Sequence, residues 1–229
     1  MTARIKRHEY GSRDDLAEAL ASGVAAVLAG GVAMDGQALL AVSGGSTPKL
    51  FFQRLAREPI EWGNVTVLPV DERLVHPDHE RSNARLIREN LLVDGADEAN
   101  FAAMGERNGR IAIREDEAYL AVEGAERIDA LILGMGTDGH TASFFADGDS
   151  YDEATAPDAP SPVLAIRTPS QPEARITLTM PVITNARFLA LHIEGDEKRE
   201  VFERALNGAD LPIARVLANA EEIALFWAP

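Results

Sequence analysis

The sequence predicts an α/β fold built on a mostly parallel sheet. Two observations carry the prediction. Short apolar runs alternate with segments of helical period, the order expected of repeated βαβ units. The composition, 46% hydrophobic and 26% charged over 229 residues, is that of a globular chain able to bury a core and still leave a cleft at its surface.

In chain order, residues 12–33 open with Ser12 and the acidic Asp14 and Asp15. They then place Leu16, Leu20, Val24 and Val27 on one face, which predicts an amphipathic helix. Strand-like runs follow at 37–43, 65–71, 128–134, 162–168, 174–180, 187–193 and 222–227. Between them the period predicts helices at 47–57, 82–93, 110–123, 196–207 and 212–219. The prolines and aspartates of 146–162 forbid regular structure and predict an exposed loop near the ligand face. Strand-like runs continue on both sides of that loop, and no internal repeat or long linker is present. Residues 1–229 therefore read as one domain.

Charge and cysteine content narrow the function. The 37 acidic residues against 22 basic ones give a net charge of −15, so nucleic acid and anionic membrane surfaces are repelled and are not expected as partners. A small phosphate ester remains compatible, because its site needs a few local cations and backbone N–H groups rather than a basic surface. With no cysteine, disulfides and thiolate chemistry are excluded. The opening MTARIKRHEYGSRDD has no apolar core for a signal peptide, and no window approaches a membrane-spanning run. A cytoplasmic monomer is expected.

In open α/β sheets the ligand lies beyond the carboxyl ends of the strands, so the residues after each strand are informative. After the strand at 37–43 stands Ser43-Gly44-Gly45-Ser46-Thr47-Pro48. Its glycines and hydroxyls outline a phosphate cradle at the start of a helix. The same string also reads as a helix cap followed by proline in the first turn. It is neither a Walker A loop nor a Gly-x-Ser-x-Gly elbow, since Pro48 stands where the closing glycine belongs.

Asp71-Glu72-Arg73 ends the next strand, offering carboxylates and a guanidinium for acid–base work, hydroxyl recognition or anion binding. His76 and His79 nearby lack a third ligand and a shared helical face, so no metal is expected. After the strand at 128–134 comes Gly134-Met135-Gly136-Thr137-Asp138-Gly139-His140-Thr141. Its glycines match G-x-G-x-x-G formally, but no long helix and no acidic strand end follow, and a dinucleotide is not expected. Asp138, two residues before His140, is close enough to hold the imidazole's tautomer. Cations come from Arg175, at the start of a strand, and from Lys198. The latter sits in a first helical turn, where a cation is unfavourable unless an anion or Glu194 partners it.

Together, GGSTP, DER, GMGTDGHTASFF, ARITLT and GDEKREVF occur in the order and at roughly the spacing seen in 6-phosphogluconolactonases, which belong with the glucosamine-6-phosphate isomerase/deaminase-like folds. The chain resembles that family over about residues 37–207. The resemblance implies a Rossmann-like, doubly wound domain with helices on both faces of the sheet, no cofactor, and a role in the pentose phosphate pathway. It also implies a phosphate held by Gly44, Gly45, Ser46 and Thr47 with Arg175 and Lys198, a base at His140, and Asp71 and Arg73 facing the lactone. Where the family more commonly reads TASLFP, this chain has TASFFA at Thr141–Ala146.

A δ-lactone is an activated ester, so its hydrolysis needs a positioned water, a general base and a stabilised oxyanion, without a covalent intermediate. Arg73 or the N–H groups of 134–139 are candidates for the oxyanion. Deaminases of the same fold carry an aromatic residue after Asp-Glu and a glutamate five residues after the histidine; this chain has Arg73 and Phe145 there. A sugar-phosphate sensor of the bacterial repressor kind would bring a basic DNA-binding segment, which is not found.

Overall fold

The computed structural model describes residues 3–107, 110–111, 117–123, 125 and 127–229. Strand β1 (Arg4–Glu9) leads into helix α1 (Arg13–Asp35), then β2 (Ala38–Val42), α2 (Lys49–Leu55), β3 (Val65–Pro69) and β4 (Asp71–Arg73). Helix α3 (Asn83–Asn90) and the short strands β5 (Asn100–Phe101), β6 (Glu106–Arg107) and β7 (Arg110–Ile111) come next. Then follow α4 (Glu117–Glu123), β8 (Ala130–Leu133), α5 (Tyr151–Thr155), β9 (Val163–Ile166), β10 (Arg175–Leu178) and α6 (Met180–Thr184). The chain closes with β11 (Phe188–Glu194), α7 (Asp196–Leu206), α8 (Pro212–Asn219) and β12 (Glu222–Ala228). Of the helix expected at 110–123, residues 110 and 111 instead form β7, paired antiparallel with β6, residues 117–123 form α4, and residues 112–116 lie outside the described residues.

The main sheet has the order β1-β12-β11-β8-β2-β3-β5, with every pair parallel. Its strands β2, β8 and β12 are buried nearly throughout, because helices cover both faces. Leu39, Ala41, Leu131 and Leu133 join one apolar cluster, while Leu40, Val42, Ala130 and Ile132 join the other with α1 and α2 residues. Successive residues point to opposite faces, so both sides of a strand must be apolar. The chain runs outward from β2 through β3 to β5, then restarts at β8 on the other side. The gap between β2 and β8 is therefore the place where the strand order reverses, and where such sheets bind ligands.

Four expectations are corrected. First, β1 was not expected: its RIKRHE is polar because it is an edge strand paired only with β12, needing little more than Ile5 against the core. Second, the strands at 162–168 and 174–180 do not join the parallel sheet. With β4 they form an antiparallel one in the order β4-β10-β9. Third, the loop at 146–162 contains α5, whose Tyr151, Ala154 and Thr155 are buried; the prolines all lie after it. Fourth, α1 is long and apolar enough to cross a membrane by composition, with mean hydropathy 1.7. It behaves as a core helix, since Leu16, Leu20, Val24 and Leu28 are completely buried. Leu28 takes the inward place expected of Val27, which is half-buried. The helix starts where the sequence placed it, with the Ser12 side chain accepting from the Asp15 N–H, and stops at Gly36 with φ 73°.

Candidate functional site

The carboxyl ends of four adjacent strands, β11, β8, β2 and β3, deliver the four groups of candidate residues to one cleft of about 840 Å³ counted to its open mouth. Gly44 to Thr47 follow β2, the His140 loop follows β8, Asp71 and Arg73 follow β3, and Lys198 follows β11; Arg175 enters from β10. All of these except Asp138 line the cleft. None of residues 146–162 lines the cleft.

The histidine loop is pinned through its own backbone. Gly136 N–H donates to the His140 carbonyl at 2.9 Å and Gly139 N–H to Gly136 at 3.0 Å. Thr141 Oγ1 donates to the Gly134 carbonyl at 2.7 Å, and Ile213 N–H on α8 donates to the Gly139 carbonyl at 3.0 Å. Asp138 Oδ1 sits 2.5 Å from His140 Nδ1 and accepts the His140 backbone N–H at 3.1 Å. A carboxylate can only accept, so in the neutral imidazole the proton resides on Nδ1 and Nε2 carries the lone pair. Partial burial pushes the Asp138 carboxyl up, but the charge and hydrogen bonds of His140 outweigh it and hold Asp138 below the usual carboxylate range. The other ring contact is Phe145, 4.7 Å between centroids.

Gly136 is small for a reason. A Cβ there would collide with the His140 ring and with Asp138 Oδ1. Gly136→Ala is accordingly expected to displace the imidazole and cut kcat about 10- to 100-fold, with melting temperature little changed because the loop is partly exposed. A folded Gly136→Ala variant with full turnover would show that the ring's position is immaterial.

The Asp-Glu-Arg motif is divided by the alternation of β4. Glu72 points away from the cleft and is buried. It accepts the N–H groups of Arg73 at 2.7 Å, Asn83 at 2.8 Å and Ala84 at 2.6 Å, and the Ser82 hydroxyl at 3.0 Å. Burial pushes its pKa up, while these four hydrogen bonds pull the other way. Glu72 thus satisfies the orphan N–H groups at the start of α3. Asp71 lines the cleft, with Oδ2 accepting from Ser143 Oγ at 2.6 Å and lying 3.5 Å from Arg175 Nη1. Across β4 and β10, Arg73 faces Arg175 directly. Two guanidiniums opposed on one rung repel, and burial together with Arg73 depresses the Arg175 pKa despite Asp71. Arg175 is only 4% exposed, its Nε has no hydrogen-bond partner, and its guanidinium lies 5.4 Å from the Phe145 ring centroid.

At the other end, Lys198 Nζ donates to Thr47 Oγ1 at 3.2 Å. Burial lowers its pKa although Glu194 raises it, the condition of an ammonium held partly out of water. Gly45, at φ 96°, turns the 44–47 loop so that it faces this ammonium across the cleft. Among the described residues no group of three or more His, Cys, Asp or Glu side chains comes together. His76 and His79 each accept a local backbone N–H on the surface, from Asp78 and Arg81.

The sequence matches a known family over nearly its whole length. Residues 11–227 fit the glucosamine-6-phosphate isomerases/6-phosphogluconolactonase family. The chain belongs to it. It is 43% identical to the 6-phosphogluconolactonase of Rhizobium meliloti, covering 97% of this chain and 98% of that one. It is 35% identical to the 6-phosphogluconolactonase of Pseudomonas putida, covering 100% and 95%. The crystal structure of a 6-phosphogluconolactonase from Shewanella baltica superposes with a TM-score of 0.91 at 34% identity, over 99% of this chain and 98% of that one.

Within this family member, Asn83 and Ser143 join the site without having been singled out by the sequence, and Phe145, noted only as a point of difference from the deaminases, proves to contact the histidine. Asn83 is buried; its Nδ2 donates to the Asp71 carbonyl at 2.7 Å, and its Oδ1 accepts from Arg73 Nη1 at 2.9 Å. A Cβ at Gly44 would collide with this same carboxamide, so Asn83 ties the 43–48 loop to the Asp71–Arg73 motif. Ser143 holds Asp71 in place. Phe145, where the deaminases carry a glutamate, packs on His140. Asn83 had a local signal, since Ser82 caps α3 through the Arg85 N–H, but its contacts are distant in sequence.

Proposed function

We propose that the chain hydrolyses 6-phospho-D-glucono-1,5-lactone to 6-phosphogluconate by general-base activation of water. The observation that carries the proposal is the short Asp138–His140 contact behind a cleft lined by His140 together with Lys198, Arg73 and Arg175. The named relatives support the same substrate.

In this reading the phosphate lies against the N–H groups of residues 44–47, the Thr47 hydroxyl and Lys198, with Arg175 facing it. Such an anchor, remote from the reacting carbon, positions that carbon beside the water. Nε2 of His140 takes the proton of the water as its oxygen bonds to the lactone carbonyl carbon. The carbonyl electrons move onto oxygen, where Arg73 or the N–H groups of the 134–139 loop stabilise the charge. As the carbonyl re-forms, the bond to the ring oxygen breaks and the imidazolium returns the proton to that oxygen. Asp138 stabilises the imidazolium between the two steps and acts through His140 alone.

The test uses purified protein and freshly generated 6-phosphogluconolactone, with acid release followed above the spontaneous rate. Hydrolysis is expected well above background and unchanged by EDTA, with no ammonia released from glucosamine 6-phosphate. Activity lost to the chelator and restored by a divalent metal would overturn the metal-free mechanism. Ammonia release without lactone hydrolysis would overturn the function.

A further inference from the structure

Lys198 carries the phosphate in the reading above, and Glu194 stands four residues before it at the end of β11. That carboxylate is the natural thief of the ammonium, yet Lys198 makes no ion pair within 4 Å among the described residues and donates to Thr47 instead. Glu194 is otherwise engaged. Its Oε2 lies 3.3 Å from Arg13 Nη1, and its Oε1 lies 3.3 Å from Nε2 of the buried His192. Arg13 is itself fixed by Nε donating to the Pro229 carbonyl at 3.0 Å. His192 is 2% exposed and lines the same cleft as Lys198, beside the edge of the Phe51 ring. Its Nε2 is close to Glu194 but not aligned as a hydrogen bond, and has no other partner.

We propose that Arg13, through its ion pair, and His192, by packing against the carboxylate, act as positioning residues that hold Glu194 and so keep the Lys198 ammonium free for an anionic substrate. The charges around Lys198 agree with this arrangement. Glu194 is the acid with the largest influence on it, Arg13 opposes that influence, and Glu197 contributes less. Where Glu194 loses its other partners, the cation left to neutralise it is Lys198, whose charge it already influences more than any other acid does. The carboxylate would then compete with phosphate for one ammonium. The role is the opposite of support by Glu194: the acid is an inhibitor held in check.

This inference rests on Lys198 binding phosphate, and the experiment separates the two claims. Inorganic phosphate binding is measured by calorimetry, and KM and kcat are measured on phosphorylated and unphosphorylated gluconolactone. The variants are Arg13→Ala, His192→Phe, Glu194→Gln and the doubles Arg13→Ala/Glu194→Gln and His192→Phe/Glu194→Gln. Each of the first two is expected to weaken phosphate binding and raise KM for the phosphorylated lactone about three- to fivefold, the reach of a partly exposed ion pair. Activity on the unphosphorylated lactone should stay as in the parent. Glu194→Gln should bind phosphate at least as tightly as the parent, and in each double it should restore binding. Rescue by Glu194→Gln is the decisive sign, since a merely structural loss at residue 13 or 192 would persist in the double. Doubles no better than the singles, or singles that bind phosphate as the parent does, overturn the inference. If Lys198→Ala leaves phosphate binding unchanged, the phosphate assignment fails instead.

Discussion

His140→Ala or His140→Gln is expected to lower kcat on 6-phosphogluconolactone by about 10²- to 10⁴-fold, the usual contribution of a positioned general base. The fold should survive. The ring is partly exposed, and the loop that carries it is held by backbone hydrogen bonds from Gly136, Gly139 and Ile213 rather than by the imidazole. Glutamine preserves a hydrogen-bonding group but not a base, so it separates proton transfer from contact with the ligand. KM should change little, since the phosphate anchors are untouched. Circular dichroism and melting temperature establish that each variant is folded. Near-normal turnover in a folded variant would remove His140 from the mechanism.

The second large effect is expected at Lys198. Removing one charged hydrogen-bond partner costs about 1.5–3 kcal/mol, which corresponds to roughly 10- to 150-fold in kcat/KM. Lys198→Ala should impose that loss on the phosphorylated lactone and spare unphosphorylated gluconolactone, because only the former places an anion against the ammonium. Part of the loss should appear in kcat, as a remote anchor positions the reacting carbon. Arg175→Ala should show the same bias less cleanly, since it also deprives Asp71 of its ion-pair partner. Equal losses on both substrates with Lys198→Ala would move that residue from the phosphate to the ring or to the fold.

What could be read from the sequence follows physical lines. The central parallel strands were legible because burial on both faces writes an unbroken apolar run, as in ALIL at Ala130–Leu133. The site motifs were legible because they occupy the short segments that leave those strands. Two kinds of information were not local. The second sheet depends on β10 pairing with both β4 and β9, and an antiparallel strand buried on both sides reads like any other apolar run. Likewise Asn83 and Ser143 act through Asp71, 12 and 72 residues away, and nothing in their immediate neighbours names that partner. The division of Asp71 and Glu72, one toward the cleft and one toward α3, follows from strand alternation once β4 is known. The motif alone leaves it open.

The delivery of the site by four neighbouring strand ends has an evolutionary and engineering consequence. Each chemical group stands only a few residues beyond a strand whose rungs are locked to its neighbours. A slip of one rung would move a group by about 3.3 Å and turn the strand's side chains to the opposite face. The site therefore inherits its geometry in whole steps from the sheet, and insertions or deletions between strand end and functional residue should be refused. The largely exposed stretch at 156–160, beyond the buried α5 and lining no part of the cleft, is where this chain can lengthen or accept a grafted peptide without disturbing catalysis.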